Sequence, residues 1–113
     1  MAMRNYIRLE DCEDGCLYRL RSRNLAIGVF SQEMRGFVGI REKFGAKFLE
    51  LEYGYTQEPS FGSATAVQKL EKCPIGELKS YSNPELFSWL MQKEQQYLRP
   101  VRLDRLGQRP LKP

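Results

Sequence analysis

Arg19, Arg21 and Arg23 recur at a spacing of two, and Arg41, Lys43 and Lys47 follow downstream. On a β-strand that spacing projects all three arginines from one face at intervals of about 6.5–7 Å. Guanidinium groups offer planar donor forks suited to carboxylate or phosphate, so this row with its neighbouring cations is a candidate anion-binding set. Phe37 and Phe48, with Tyr18 or Tyr53 according to register, would add stacking surfaces of the kind that hold a nucleotide or a single strand. The competing expectation is a solvated sheet face, with these arginines paired to Glu10, Asp11, Glu13 and Asp14 or to Glu50 and Glu52. Both expectations stand at the level of sequence.

Several other chemistries are disfavoured. The chain contains no histidine, which removes the commonest general base, every Ser/His or Cys/His dyad and the commonest zinc ligand. Cys12 and Cys16 are spaced as metal ligands can be, with Cys73 as a conceivable third, but a fourth soft ligand is lacking. Ordinary reduced cysteines are the better expectation, and no metal or cofactor is expected. Glu42, Glu50 and Glu52 could support a small carboxylate-based enzyme, yet salt bridges to Arg41, Lys43 and Lys47 across neighbouring strands suit the same residues better. Gly36, Gly39 and Gly45 do not open a helix and lack the Lys-Ser/Thr ending of a phosphate loop. The expectation is therefore a protein without catalytic residues.

Charge is distributed unevenly. Residues 1 to 98 carry thirteen basic and thirteen acidic side chains, and the whole net charge of +4 comes from residues 99 to 113. Residues 19 to 47 hold a local excess of five positive charges, a sharper pointer to an anionic partner than the overall basicity. Three cysteines fit a reducing compartment better than a disulfide framework. With no apolar run of about 18 residues and no stretch resembling a signal peptide, a soluble cytoplasmic protein with no membrane partner is expected.

The elements that must position these residues are read from hydrophobic period and turn signals. Alternation from 17 to 30 predicts one long strand, or two with a bend near Ser22 to Asn24; Leu25, Ile27 and Val29 share one face and Ala26, Gly28 and Phe30 the other. Gly36 to Glu42 predicts a second strand with Val38 and Ile40 toward the core, and Lys47 to Tyr55 a third with Leu49, Leu51 and Tyr53 on one side. Lys43 to Ala46 turns the chain between them, with Gly45 free to take a positive backbone angle. Short connections favour an antiparallel meander. Tyr6 to Leu9 reads as an edge strand or loose cover, 56 to 66 as a loop, Val67 to Cys73 as one or two helical turns, and Ile75 to Ser80 as a short strand or extended chain.

Asn83-Pro84-Glu85 is a helix start, with a capping side chain, proline at the first position and an acid in the first turn. The predicted helix, residues 84 to 98, carries Leu86, Phe87, Leu90, Met91, Tyr97 and Leu98 as an apolar stripe. Trp89 falls on the polar side, where it would either contact a partner protein or pack under the 56 to 66 loop. Arg99-Pro100 ends the helix. The remainder, with Arg102, Arg105 and Arg109, is expected to be a flexible or partner-ordered basic arm with Arg99 at its root. The expected fold is a single α+β domain over residues 1 to 98, an antiparallel sheet of three to five strands with one C-terminal amphipathic helix packed on it, followed by the arm at 99 to 113.

Ser22-Arg23-Asn24-Leu25, Gly28-Val29, Gly39-Ile40-Arg41-Glu42-Lys43-Phe44-Gly45 and Leu51-Glu52-Tyr53 together resemble a group of small, mostly uncharacterised proteins encoded by bacteriophages and prophages. The resemblance spans roughly residues 14 to 65. It implies an accessory protein that binds, rather than catalyses, and that acts on a host polymerase, nuclease or immune factor or sequesters a signalling nucleotide. The functional expectation is thus a non-catalytic phage-type protein that engages a host protein or an anionic small molecule through the basic sheet region. A nucleic-acid-binding protein that uses sheet and arm together is the alternative.

Overall fold

The computed structural model describes residues 6–54, 64–76, 78 and 82–98. They form a five-stranded antiparallel sheet and a single C-terminal helix, an α+β fold. The strands are β1 (Cys16–Arg21), β2 (Ile27–Ser31), β3 (Gly36–Lys43), β4 (Ala46–Tyr53) and β5 (Thr65–Lys72), and the helix α1 is Pro84–Tyr97. Their order across the sheet is β4-β3-β2-β1-β5, a four-strand meander whose first strand is flanked on its outer side by the last. The 17 to 30 segment is two strands separated by a bend at residues 22 to 26, where Ser22 Oγ accepts from the backbone N–H groups of Asn24 and Leu25, each at 3.3 Å.

Both faces of the sheet are buried over β1 and β2, which explains why Ile27–Ser31 carries no exposed residue. Under α1 lie Leu17, Ile27, Val29, Val38 and Ile40, joined by Cys73, Leu78, Leu86 and Leu90. The other face gathers Cys16, Tyr18, Leu20, Phe30 and Phe37 beneath Leu9, Leu25, Ala64 and Ala66. Tyr18 stands edge-on to Phe37 with ring centroids 6.1 Å apart, and its hydroxyl accepts the Glu13 N–H at 2.7 Å, so its one polar atom is satisfied at burial. Burying each such large side chain stabilises the fold by about 1.5–3 kcal/mol before entropy is counted. Gly39 is required by close approach: a Cβ there would meet the Ile27 carbonyl oxygen at 2.3 Å.

The helix begins as its sequence indicates. Asn83 Oδ1 accepts from the N–H groups of Glu85 (2.8 Å) and Leu86 (3.2 Å), with Pro84 at the first helical position. Its C-terminal half is tied to β5, because Glu71 accepts from the Tyr97 hydroxyl at 2.6 Å and pairs with Lys93 at 2.9 Å. Those bonds hold the Glu71 carboxyl below its ordinary value and the Tyr97 hydroxyl above its own.

Val67 to Cys73 corrects the sequence reading: residues 67 to 72 are strand rather than helical turns, and Cys73 follows the strand. β5 pairs with β1 through two irregularities, opposite Leu17/Tyr18 and Arg19/Leu20, at which β5 carries an extra residue. Each bulge resets the alternation, so Val67 and Leu70 fall three apart and imitate helical spacing. The strand also starts at Thr65, within the segment read as loop, while residues 55–63 lie outside the described set. Ile75 and Leu78 are not strand, and Ile7 forms one bridge with Ala66 on the outer side of β5. No helix among the described residues is long and apolar enough to cross a membrane.

Candidate functional site

The cationic residues singled out by spacing are dispersed by the fold. Arg19 lies opposite Ile27, on the helix face, and alternation places Arg21 on that face too; β1 ends there, so Arg23 is not part of the row. Arg19 Nε donates to Gln68 Oε1 at 3.1 Å, and its charge reaches the Tyr97 hydroxyl. Arg41 lies on the opposite face, where its Nη1 contacts both carboxylate oxygens of Glu50 at 3.1 Å. Two members of the set, Lys43 and Lys47, sit beside the turn that joins β3 to β4. Arg19, Arg21 and Arg41 therefore share no concavity, because β1 and β3 are separated by β2 and the side chains leave from opposite faces.

The acidic residues also choose other partners than the arginine row. Glu10 and Asp11 pair with Arg8, Glu13 with Lys69, and Asp14 accepts the Gln32 N–H at 2.7 Å. Glu52 accepts from Ser22 Oγ at 3.2 Å and from Asn24 Nδ2 at 2.8 Å. Glu42, Glu50 and Glu52 line neither the cavity at Lys47–Leu49 and α1 nor the one at Leu9, Glu10, Cys12, Phe30, Gln32 and Arg35. Cys16 and Cys73 are packed on opposite faces of the sheet. Burial, aided by Asp11, pushes the Cys12 thiol up to about 11. Among the described residues no three potential metal ligands come together.

What the fold does assemble is the β3–β4 hairpin. Lys43 pairs with Ala46, leaving Phe44 and Gly45 as a two-residue turn with φ of 55° and 79°. Positive φ at both central residues is the type I′ geometry that matches strand twist, and it favours Asn-Gly. Phenylalanine at the first position is strained by its Cβ, and it is 95% exposed. Lys43 Nζ lies 5.5 Å from the Phe44 ring centroid. Two further aromatic residues of β4 are exposed, Phe48 (37%) and Tyr53 (66%), on opposite faces of the sheet. A groove of about 510 Å³ runs between β4 and the start of α1, lined by Lys47, Phe48, Leu49, Pro84 and Phe87 among others.

Sequence reasoning placed a turn at 43 to 46 but gave Phe44 no role. The available signal was a large apolar residue before the glycine of a two-residue hairpin turn, where a small polar residue is preferred. Trp89 is not a fully exposed anchor: it is half-buried against the helix-side core, with Lys93 Nζ 5.3 Å from its ring centroid. Arg99, Arg102, Arg105 and Arg109 lie outside the described residues. Compared with known proteins, the chain matches no family model, no curated protein and no solved structure.

Proposed function

We propose that this chain is a non-catalytic binding protein whose β3–β4 hairpin docks onto a partner protein, with Phe44 as the anchor and Lys43 and Lys47 as flanking charges. The observation that carries the reading is the exposure of Phe44 at 95% with a φ of 55°. A strained backbone and an unburied aromatic both cost stability, and such local violations cluster where a surface is used. Aromatic anchors carry most of the energy in protein interfaces when they enter an apolar pocket. The two lysines complement a partner whose pocket has an acidic rim. The likeness of residues 14 to 65 to phage-encoded proteins supports a partner from the infected cell and an inhibitory action on host machinery or defence.

An anionic small ligand held by the whole basic set draws less support, since Arg41 is already engaged by Glu50 and faces away from Arg19. The proposal is tested by identifying the protein captured from host cells and titrating it with purified chain and variants. Phe44→Ala should weaken affinity by at least about 2 kcal/mol, or roughly 30-fold, and Lys43→Ala combined with Lys47→Ala should slow association as salt would. Unchanged affinity in Phe44→Ala would refute the assignment. Binding that survives this change but falls steeply with salt on DNA or RNA would favour the nucleic-acid alternative.

A further inference from the structure

A cavity of about 390 Å³ lies between the 3-10 turn at Leu9–Asp11 and the turn that joins β2 to β3, lined by Leu9, Glu10, Cys12, Phe30, Gln32 and Arg35. Its walls are pinned by backbone bonds. The Cys12 N–H donates to the Leu9 carbonyl at 3.1 Å, the Gln32 N–H to Asp14 Oδ1 at 2.7 Å, and the Gly54 N–H to the Arg35 carbonyl at 3.0 Å. Side chains rooted in this way are positioned before any ligand arrives.

Arg35 is the unexpected member. Ser31 pairs with Gly36, so Gln32 to Arg35 form a four-residue loop in which Arg35 takes a φ of 54°. Glycine or asparagine suits that left-handed position, and a long side chain there costs stability. No carboxylate among the described residues pairs with the Arg35 guanidinium. Glu10 brings the opposite charge to the lining. Its partner is Arg8 at 3.3 Å, an exposed and weakly held pair, and Arg8 keeps Asp11, also at 3.3 Å, if Glu10 turns to a ligand. Leu9 and Phe30 are apolar and buried, the Gln32 amide both donates and accepts, and the Cys12 thiol, raised to about 11, stays neutral at pH 7.

We propose that this cavity binds a free α-amino acid with an apolar side chain, its carboxylate on Arg35, its ammonium on Glu10 and its side chain against Leu9 and Phe30. A guanidinium offers two parallel donors to a carboxylate. A purely anionic ligand would meet Glu10 and a purely cationic one Arg35, so a ligand carrying both charges is the complementary one. The volume lies at the small end of the range of about 300–1,000 Å³ for small-molecule sites, which suits one amino acid better than a longer peptide. The cavity stands at the Gly36 end of β3, about 23 Å by strand rise from Lys43 at the other end. It is therefore separate from partner docking by Phe44.

Isothermal titration calorimetry of the full chain at pH 7 with L-leucine, L-valine and L-methionine, each to about 20 mM, tests the inference. At least one should bind saturably with a Kd below about 5 mM. The N-acetyl and amide derivatives of that amino acid, each lacking one charge, should bind at least about tenfold more weakly. Arg35→Asn and Glu10→Gln should each weaken binding at least about fivefold. Asparagine suits the positive φ, so Arg35→Asn should keep or raise Tm, which separates loss of binding from loss of fold. Phe44→Ala should bind as the parent chain does. Absence of saturable binding by all three amino acids, equal binding of either derivative, unchanged affinity in Arg35→Asn or Glu10→Gln, or loss of binding in Phe44→Ala would each overturn the proposal.

Discussion

Replacing Phe44 by asparagine should make the protein more stable and, on the proposed reading, functionally worse. Holding an L-residue in the left-handed region costs about 1–2 kcal/mol, a cost that asparagine largely escapes through local hydrogen bonding. Phe44 is 95% exposed, so almost no burial is forfeited. About 10 Å² of a side chain near 200 Å² is worth roughly 0.25 kcal/mol. The exposed contact with Lys43 adds about 0.5 kcal/mol at most. The balance is a gain of about 0.5–1 kcal/mol, which for a domain of this size raises Tm by about 2–5 °C. Differential scanning calorimetry measures the first half, and titration of the captured partner measures the second, expected to weaken roughly 30-fold. A lower Tm would refute the claim of turn strain, and a higher Tm with intact affinity would refute the role of Phe44 while leaving the turn geometry standing.

Three further expectations follow from other parts of the fold. Gly39→Ala should lose about 2–3 kcal/mol in urea denaturation, because the new Cβ meets the Ile27 carbonyl at 2.3 Å and strand backbone cannot yield as a side-chain tip would. The Glu71 clamp should work within a pH window. Hydrogen bonds from Tyr97 and then Lys93 depress the Glu71 carboxyl from its ordinary 4.5, so its contribution is present above that value and disappears as pH falls through the folded-state value. The bond to Glu71 and then burial raise Tyr97 from 10.0, so its contribution is full below pH 10 and disappears as pH rises past the folded-state value. Thermal melts should show Glu71→Gln flattening the acid limb, and an unchanged limb would exclude Glu71 as its source. Cys12, raised to about 11 chiefly by burial, should alkylate slowly with iodoacetamide at pH 7.5 until the chain is unfolded, whereas rapid labelling of the native protein would contradict that shift.

The elements legible from sequence were those whose signals are local. Asn83-Pro84 announced the helix because cap and first-turn residues act within one turn. The faces of β3, of β4 and of residues 27 to 30 followed from period two, and Leu49 and Leu51 do pack toward the helix-side core; Leu25, expected on the face of Ile27 and Val29, packs instead with Phe30 on the opposite one, because the bend at residues 22 to 26 interrupts the alternation. β5 was hidden because its two bulges break that period, and a bulge is decided by the strand it pairs with. The division of the basic residues was hidden for a related reason. Spacing shows that Arg19 and Arg21 share a face, but only strand order and register put Arg41 on the other one and give it Glu50.

The sequence by itself determined the class of fold, the helix and its start, the turn at Lys43 to Ala46, and a chemistry without histidine. Tertiary structure decided which surface is presented. It placed β4 at an edge, left the tip and Tyr53 uncovered, buried half of Trp89, and set Arg19 beside Gln68 and Arg41 beside Glu50 on opposite faces of the sheet. The physical reason is that period and capping are properties of adjacent residues, whereas exposure and charge pairing depend on segments far apart in the chain that meet only when the sheet is assembled.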